Sequence, residues 1–277
     1  MKIKIWGCRG SIPAPGSEHV QFGGNTSCVE IKNKDTHLIL DAGSGIRRLD
    51  YSSIPEGSQI DILLTHLHMD HIMGLGFFLP LYSPKNKVTI WGPSSIRENL
   101  QTRLTRYLSP PLFPVRLNDL PCKLKLIEIN ESEFTIGSLH IKSSYVCHPG
   151  PTVGYRITNG EVTLAYIPDH EPALGVKKFP QQPEWTSGFD LAHEADLLLH
   201  DAHFSSEDYL NCIGWGHSSM EDVLTFAKLT KVKSLRFFHH SPSHTDKEIL
   251  NYFKEAVNGQ QYPFKVGIAA EGDEYNL

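Results

Sequence analysis

Within Thr65-His66-Leu67-His68-Met69-Asp70-His71, four side chains able to bind a metal ion lie in six residues. They follow Ile62-Leu63-Leu64, an apolar run that reads as the end of a buried strand. Side chains alternate along extended chain, so His66 and His68 would project to the same side and grip one cation together. Asp70 and His71 come where the chain must turn toward a helix; they would point elsewhere and hold a second cation nearby. Imidazole and carboxylate in this arrangement suit zinc-like metals, with manganese as the alternative to Zn2+. Unrelated surface histidines seldom arrive as His-x-His-x-Asp-His behind a hydrophobic strand.

Two more candidate ligands stand at strand ends, His148 in Cys147-His-Pro-Gly-Pro151 and Asp169 in Tyr166-Ile-Pro-Asp-His170. Alone, each would read as a surface polar residue. Beside a nearly complete metal site, both read as ligands. Further polar clusters are His200-Asp-Ala-His203, Gly214-Trp-Gly-His-Ser-Ser219 and His239-His-Ser-Pro-Ser-His-Thr-Asp246.

The elements that must position these groups are legible as short apolar runs. Met1–Trp6 alternates like a first strand, and strands are expected at Cys28–Ile31, His37–Leu40 and Val88–Trp91. Gly7-Cys-Arg-Gly-Ser-Ile-Pro13 and Phe22-Gly-Gly-Asn-Thr-Ser-Cys28 are glycine-dense, which implies hairpin turns or close backbone approach to something bound. Residues 72–79 read as a buried helix start, and Gly92-Pro93-Ser94 as the opening of an amphipathic helix reaching about Tyr107. Consecutive strands are expected at Leu124–Ile129, Phe134–Ile136, Leu139–Val146, Val153–Ile157 and Val162–Ile167, as a second set of β-elements. Asp196–His200, Ser234–Phe238 and Phe264–Ile268 add three more. Ser218 or Ser219 would cap one helix, and another would follow Asp246. The loop at 109–115, with Leu112 and Phe113, reads as a substrate lid, a subunit contact or a segment packed on its own domain; 170–190 reads as a long surface loop.

Bulk properties narrow the function. A chain of 277 residues with 40% hydrophobic composition suits one α/β domain spanning residues 1–277. A formal charge of -5 and a pI near 6.3 carry no electrostatic footprint for nucleic acid, so a long polyanion is not the expected partner. The N-terminus lacks the apolar core of a signal peptide, and no stretch reaches membrane-spanning length. The odd, scattered set Cys8, Cys28, Cys122, Cys147 and Cys212 implies reduced thiols. A cytoplasmic enzyme is expected, with Cys147 a small buried thiol.

Thr65 to His71 resembles the signature of the metallo-β-lactamase superfamily, and the resemblance extends from Gly7 to about Asp246. It implies a four-layer αβ/βα sandwich that gathers the strand ends at one edge. Carried over by position, it implies that His66, His68 and His148 bind a first metal, Asp70, His71 and His239 a second, and that Asp169 bridges them. His239 is preferred to His240 because His239-His-Ser241 is similar to the His-x-Ser of the tRNase Z branch. Asp41, in Asp41-Ala-Gly-Ser-Gly45, matches an aspartate that orients the metal loop by hydrogen bonding. Two cations roughly 4 Å apart would lower the pKa of a shared water and neutralise charge on a phosphoryl oxygen. Asp70 could also accept the water's remaining proton. His217 with Asp201 resembles the pair by which tRNase Z protonates its leaving group, although glutamate usually stands where this chain has Asp201.

The motifs Gly-Cys-Arg-Gly-Ser-Ile-Pro, Pro-Asp-His-Glu, Gly-Trp-Gly-His-Ser and His-His-Ser-Pro-Ser-His-Thr-Asp resemble small cyclic-nucleotide phosphodiesterases of the anti-Pycsar type. A small, cyclic nucleotide substrate and a homodimer are therefore expected. The alternatives are tRNA 3'-processing, against which the negative charge and the lack of a basic Gly/Pro-rich arm count, and hydrolysis of a thioester or lactone. A metal-stabilised binding module without turnover is the non-enzyme alternative.

Overall fold

The computed structural model describes residues 1–51, 54–172, 174 and 179–277. In chain order the strands are β1 (Lys2–Gly7), β2 (Cys28–Asn33), β3 (Thr36–Leu40), β4 (Gln59–Leu63), β5 (Lys87–Pro93), β6 (Lys123–Ile129), β7 (Ser132–Ile136), β8 (Leu139–Tyr145), β9 (Val153–Thr158), β10 (Thr163–Ile167), β11 (Leu197–Asp201), β12 (Ser234–Phe238), β13 (Lys265–Ile268) and β14 (Glu274–Asn276). The helices are α1 (Met69–Ile72), α2 (Leu100–Tyr107), α3 (Phe189–Ala192), α4 (Ser206–Cys212), α5 (Met220–Thr230) and α6 (Asp246–Val257). Among the described residues the strands form two sheets, β14-β1-β2-β3-β4-β5-β6 and β13-β12-β11-β10-β9-β8-β7.

Alternation along the strands explains the four layers. Leu38 and Leu40 of β3, Leu197 and Leu199 of β11, and Leu164 and Tyr166 of β10 all enter one core between the sheets. Their neighbours point the other way: Ile39 packs with Leu100 and Leu104 of α2 on one outer face. Ala165 and Leu198 pack with Phe226 of α5 and Ile249 of α6 on the other. Strands buried on both faces must be apolar at every position, which is why Leu197-Leu198-Leu199 reads as a continuous run rather than as an alternation. The α/β sandwich expected from the sequence is the one observed.

Three local expectations are corrected. The helix after β5 starts at Leu100, not near Ser94: Pro93 still belongs to the strand, and the Asn99 side chain accepts from the Thr102 N–H to cap the helix. Residues 72–79 do not form a helix; α1 ends at Ile72 and short 3-10 turns follow at Leu75–Phe77 and Leu79–Tyr82. The strand at 124–129 is β6 and pairs in parallel with β5, so it closes the first sheet rather than opening the second. The C-terminal strand β14, antiparallel to β1, had no clear signal in its three residues. Parts of the expected 170–190 loop, and residues 52–53, lie outside the described residues.

Both sheets turn their useful ends to the same edge. β3 and β4 are parallel, as are β10, β11 and β12, and the segments carrying Asp41, His66–His71, Asp169, Asp201 and His239 leave the C-terminal ends of these strands, while His148 follows the antiparallel β8. Loops at the carboxyl ends of parallel strands are where such sheets place their sites. Among the described residues, no helix is long and apolar enough to cross a membrane.

Candidate metal centre

Asp41 follows β3 and His239 follows β12, and both take a left-handed backbone, with φ 56° and 58°. Such angles are unusual for residues with a Cβ and tend to persist where surrounding contacts enforce them. Around Asp41 those contacts are on view. Its carboxylate accepts the Thr65 N–H at 2.7 Å and the Thr65 hydroxyl at 3.0 Å, the Tyr166 hydroxyl at 2.9 Å, and faces His71 Nδ1 at 2.8 Å. It joins neither ligand cluster; it holds the loop after β4 and turns His71 Nε2 toward the centre, as the resemblance implied.

Two clusters that share Asp169 result, beside a third group made of His203, His217 and His239. His66, His68, His148 and Asp169 present ligand atoms within 4.8 Å of one another, and so do Asp70, His71, Asp169 and His239. Asp169 belongs to both. Its Oδ2 lies 3.8 Å from His66 Nε2 and 3.7 Å from His148 Nε2, while Oδ1 lies 3.0 Å from His71 Nε2 and 3.3 Å from His239 Nε2. The ring atoms turned away from the centre are engaged where orientation matters: His148 Nδ1 pairs with the Gly216 carbonyl at 2.8 Å. Gly216 has φ +87°, and a Cβ there would meet His148 Nδ1 at 2.5 Å, so the close approach requires glycine.

The Gly-rich N-terminal loop supplies what sequence reasoning left open. The Ser11 N–H donates to Asp70 Oδ2 at 2.8 Å, and a Cβ on Gly10 would strike the His239 ring at 2.4 Å. The close approach is thus to the protein's own ligand cluster. Arg9, fully buried, anchors this loop through Asp246 Oδ1 at 2.6 Å and the carbonyls of Gly23, Ser241 and His244. Neither the role of Arg9 nor that of Ser11 was foreseen.

The residues fit a metal. His66 Nε2 is a buried atom with no hydrogen-bond partner among the described residues, a costly state for a polar atom unless something else binds it. Burial works against charge on Asp70, yet His71 and His239 hold its carboxyl well below the usual carboxylate range. Burial, followed by the neighbouring His71, holds His66 well below the usual histidine range, which favours the neutral, metal-binding imidazole. His71 is the exception: burial opposes its charge, but Asp169, Asp70 and Asp41 hold it well above the usual histidine range, so a metal bound at its Nε2 would displace a proton.

Beside the clusters, His217 Nδ1 lies 2.6 Å from Asp201 Oδ2. Asp201 is fully buried, and its oxygens also accept the backbone N–H groups of His170, His203 and Ser218. Burial opposes a charge on His217, but Asp201 outweighs it and pushes the imidazole up to about 9. With Nδ1 committed to Asp201, Nε2 is the ring atom left for a substrate. Glu171 steadies this segment by accepting the Gly214 and Gly216 N–H groups, and Ser219 is the residue that caps α5.

Of the histidines left unassigned by the sequence, His203 stays beside the centre with His217 and His239, and the others enter no cluster. His203 stacks on His217 with ring centroids 4.6 Å apart, while His170 and His200 pair at 2.9 Å in the buried layer against Phe226. His240 Nε2 faces the Ala269 carbonyl at 2.9 Å, away from the clusters, so His239 is the member of the pair that faces the centre. His244 pairs with Asp208 at the surface. Cys147 is half-buried, and burial pushes its thiol up, so it is not an activated nucleophile. All five cysteines are free.

Comparison with known proteins points the same way. Residues 36–240 match the family described as Beta-lactamase superfamily domain. The chain is 26% identical over 284 residues to the ribonuclease Z of Macrococcus caseolyticus, covering 87% of this chain and 89% of that one. Its fold is similar to that of the metallo-β-lactamase fold protein YhfI from Bacillus subtilis, with a TM-score of 0.71, 21% identity and coverage of 99% and 98% of the two chains. A diphosphatase of the PhnP family is similar in fold as well, with a TM-score of 0.69, 16% identity and coverage of 100% and 97%.

Proposed function

The chain belongs to the β-lactamase superfamily and is a metal-dependent hydrolase; on that premise we propose that it cleaves the phosphodiester of a small nucleotide, cyclic by preference, working as one domain over residues 1–277. His66, His68, His148 and Asp169 Oδ2 would hold one divalent cation. Asp70, His71, His239 and Asp169 Oδ1 would hold the other. The histidine-rich donor set favours Zn2+, with Mn2+ the alternative. When bound, the two cations supply an acidified water and positive charge against the phosphoryl oxygens.

The observation that carries the phosphodiester reading is the His217–Asp201 pair beside the clusters. A departing alkoxide needs a proton, and a protonated His217 would donate it from Nε2 while Asp201 stabilises the cation. Asp70, fixed by the Ser11 N–H, would accept a proton from the attacking water. A thioester or lactone needs such an acid less, which counts against that alternative.

The second reading is tRNA 3'-processing, and the likeness to ribonuclease Z over most of both chains favours it. Against it stand the net charge of -5 and the lack of a basic arm in the sequence, since binding a polyanion rests on phosphate neutralisation. A small substrate in a reducing, cytoplasmic setting suits the composition better, and the resemblance to cyclic-nucleotide phosphodiesterases adds a homodimer. The test is a hydrolysis panel of cyclic mononucleotides, cyclic dinucleotides, pre-tRNA and a thioester, with zinc or manganese added and Asp70→Ala as control. Turnover of a cyclic nucleotide by the wild type and not by the variant is expected. No phosphodiester cleavage at all would sink the proposal, and efficient, salt-sensitive cleavage of pre-tRNA alone would favour the second reading.

A further inference from the structure

The second sheet carries a cleft that takes no part in the metal centre. On its outer face α5 and α6 pack over β10, β11 and β12, and the short α3 lies against β8 and β9. Beside α3 opens a cavity of about 400 Å³ whose walls include Lys142, Arg156 and Phe189 and none of the candidate metal ligands. It sits toward the opposite strand ends: Thr158, another wall residue, pairs with Thr163 at the start of β10, whereas Asp169 follows the end of that strand. Alternation puts the charges there. Leu139 and Ile141 of β8 and Tyr155 and Ile157 of β9 enter the core between the sheets, so His140, Lys142, Arg156 and Thr158 face out. The register sets Lys142 directly opposite Arg156, and like charges so placed are destabilising.

Nothing on the protein itself resolves that conflict. Arg156 Nη1 donates to the Leu191 and His193 carbonyls at 2.9 and 2.8 Å, which fixes the guanidinium plane. Its Nε and Nη2 have no hydrogen-bond partner, and no carboxylate stands within ion-pair distance of it, among the described residues. Burial lowers the Arg156 pKa from its ordinary value against the longer-range pull of Asp196 and Glu194, and Asp196 is taken by Lys233 at 2.7 Å. Lys142 is little better matched. Asp190 lies 3.7 Å away with its side chain 76% exposed, a pairing worth little in water. Glu133 stands opposite Lys142 on the other side but turns to His140 at 3.6 Å, itself 61% exposed. Two cations are thus held side by side without a buried counter-charge.

We propose that this cleft binds the phosphate group of a small phosphomonoester, with Arg156 Nε and Nη2 and Lys142 Nζ as its donors. A phosphomonoester carries a charge of about -1.5 to -2 at neutral pH and three strong acceptor oxygens. Arg156 and Lys142 supply two positive charges, one of them on a planar fork of donors that suits phosphate. A single carboxylate would leave the two cations half neutralised. The cavity is larger than a phosphate alone, and Phe189 and His193, with ring centroids 5.1 Å apart, give the organic part of the ligand a wall to lie against. Glu133 and Asp190, both exposed at the mouth, repel a long polyanion, so the ligand is one small molecule. The assignment stands apart from the reaction at the metal centre.

Calorimetry with phenyl phosphate, and with benzoate as the carboxylate of similar shape, tests this on zinc-loaded protein. Because metal ions also attract phosphate, Asp169→Ala is titrated alongside the wild type to remove that contribution. Both proteins should bind phenyl phosphate at the cleft, and Lys142→Gln and Arg156→Gln should each weaken that binding by roughly tenfold or more. Arg156→Gln removes the anchor of α3 and could unfold, which circular dichroism would reveal; Lys142 reaches solvent, and Lys142→Gln decides the matter alone. Thermal denaturation adds a second readout. Without an anion Lys142→Gln should be at least as stable as the wild type, since the repulsion of Arg156 is relieved, whereas phenyl phosphate should raise the Tm of the wild type more than that of the variant. Phenyl phosphate binding that vanishes in Asp169→Ala, that is unchanged in Lys142→Gln, or that benzoate equals, overturns the proposal.

Discussion

His217 Nδ1 and Asp201 Oδ2 stand 2.6 Å apart at the edge of the two ligand clusters, and neither residue is needed to complete either cluster around Asp169. Removing the imidazole should therefore leave metal binding intact and damage the chemistry. For His217→Ala we expect kcat to fall by about 10²–10⁴, the usual worth of a positioned proton donor, with zinc content unchanged by elemental analysis. Asp201→Asn should reproduce most of the loss. Equal loss of metal and activity in His217→Ala would make the residue structural.

The same pair sets a pH dependence. If His217 acts in its protonated form as proposed, with Asp201 raising its pKa to about 9 in the metal-free protein, activity should fall as pH rises through that value. Bound cations repel the proton, so the basic limb of the kcat profile is expected at or below about pH 9. The limb should be missing from the residual activity of His217→Ala. For the stability of the metal-free protein the sign is the same: the folded pKa is above the unfolded one, so the stabilisation is complete below about pH 6.5 and is lost as pH climbs to about 9.

Asp41 offers a cleaner probe of orientation. Asparagine tolerates the left-handed backbone at this position, so Asp41→Asn should fold. It would still accept from Thr65 but would weaken its hold on His71 Nδ1. Metal affinity or activity should drop by about 10–100-fold, the usual effect of losing a ligand's outer partner. Isothermal titration of the metal-free protein with zinc measures it, and an unchanged affinity and rate would show that His71 needs no such support.

Arg9 and Asp246 bind two distant parts of the chain at 2.6 Å, both nearly inaccessible to solvent. Arg9→Met leaves the Asp246 carboxylate buried beside an apolar chain, a change expected to cost roughly 3–5 kcal/mol. Chemical denaturation should show the loss, together with weaker activity, because Arg9 holds the loop whose Ser11 N–H meets Asp70. A variant as stable as the wild type would contradict this.

What could be read from the sequence, and what could not, divides along the range of the interactions. Ile62-Leu63-Leu64 and Leu197-Leu198-Leu199 announce strands because burial on both faces leaves no polar position, and the His66–His71 spacing is local. Arg9 was illegible because three of its four partners are more than 200 residues away, and a buried arginine has no local pattern. The helix boundary at Asn99 had a signal, an asparagine cap, that the Gly92-Pro93 dipeptide obscured. The membership of β6 in the first sheet was also available: a strand, a helix and another strand make a crossover unit whose strands usually lie parallel and close. Asp169 could be proposed only once other ligands were in hand, since a lone aspartate after a strand is ordinary.

The most direct measurement is the number of zinc ions per chain in protein loaded with excess zinc and desalted, for wild type, Asp169→Ala and His148→Ala. Asp169 touches both clusters with separate oxygens, whereas His148 belongs to one. Two ions are expected in the wild type, one in His148→Ala, and fewer than one in Asp169→Ala. A wild type that keeps one ion or none, or an Asp169→Ala protein that keeps two, would contradict the dinuclear centre.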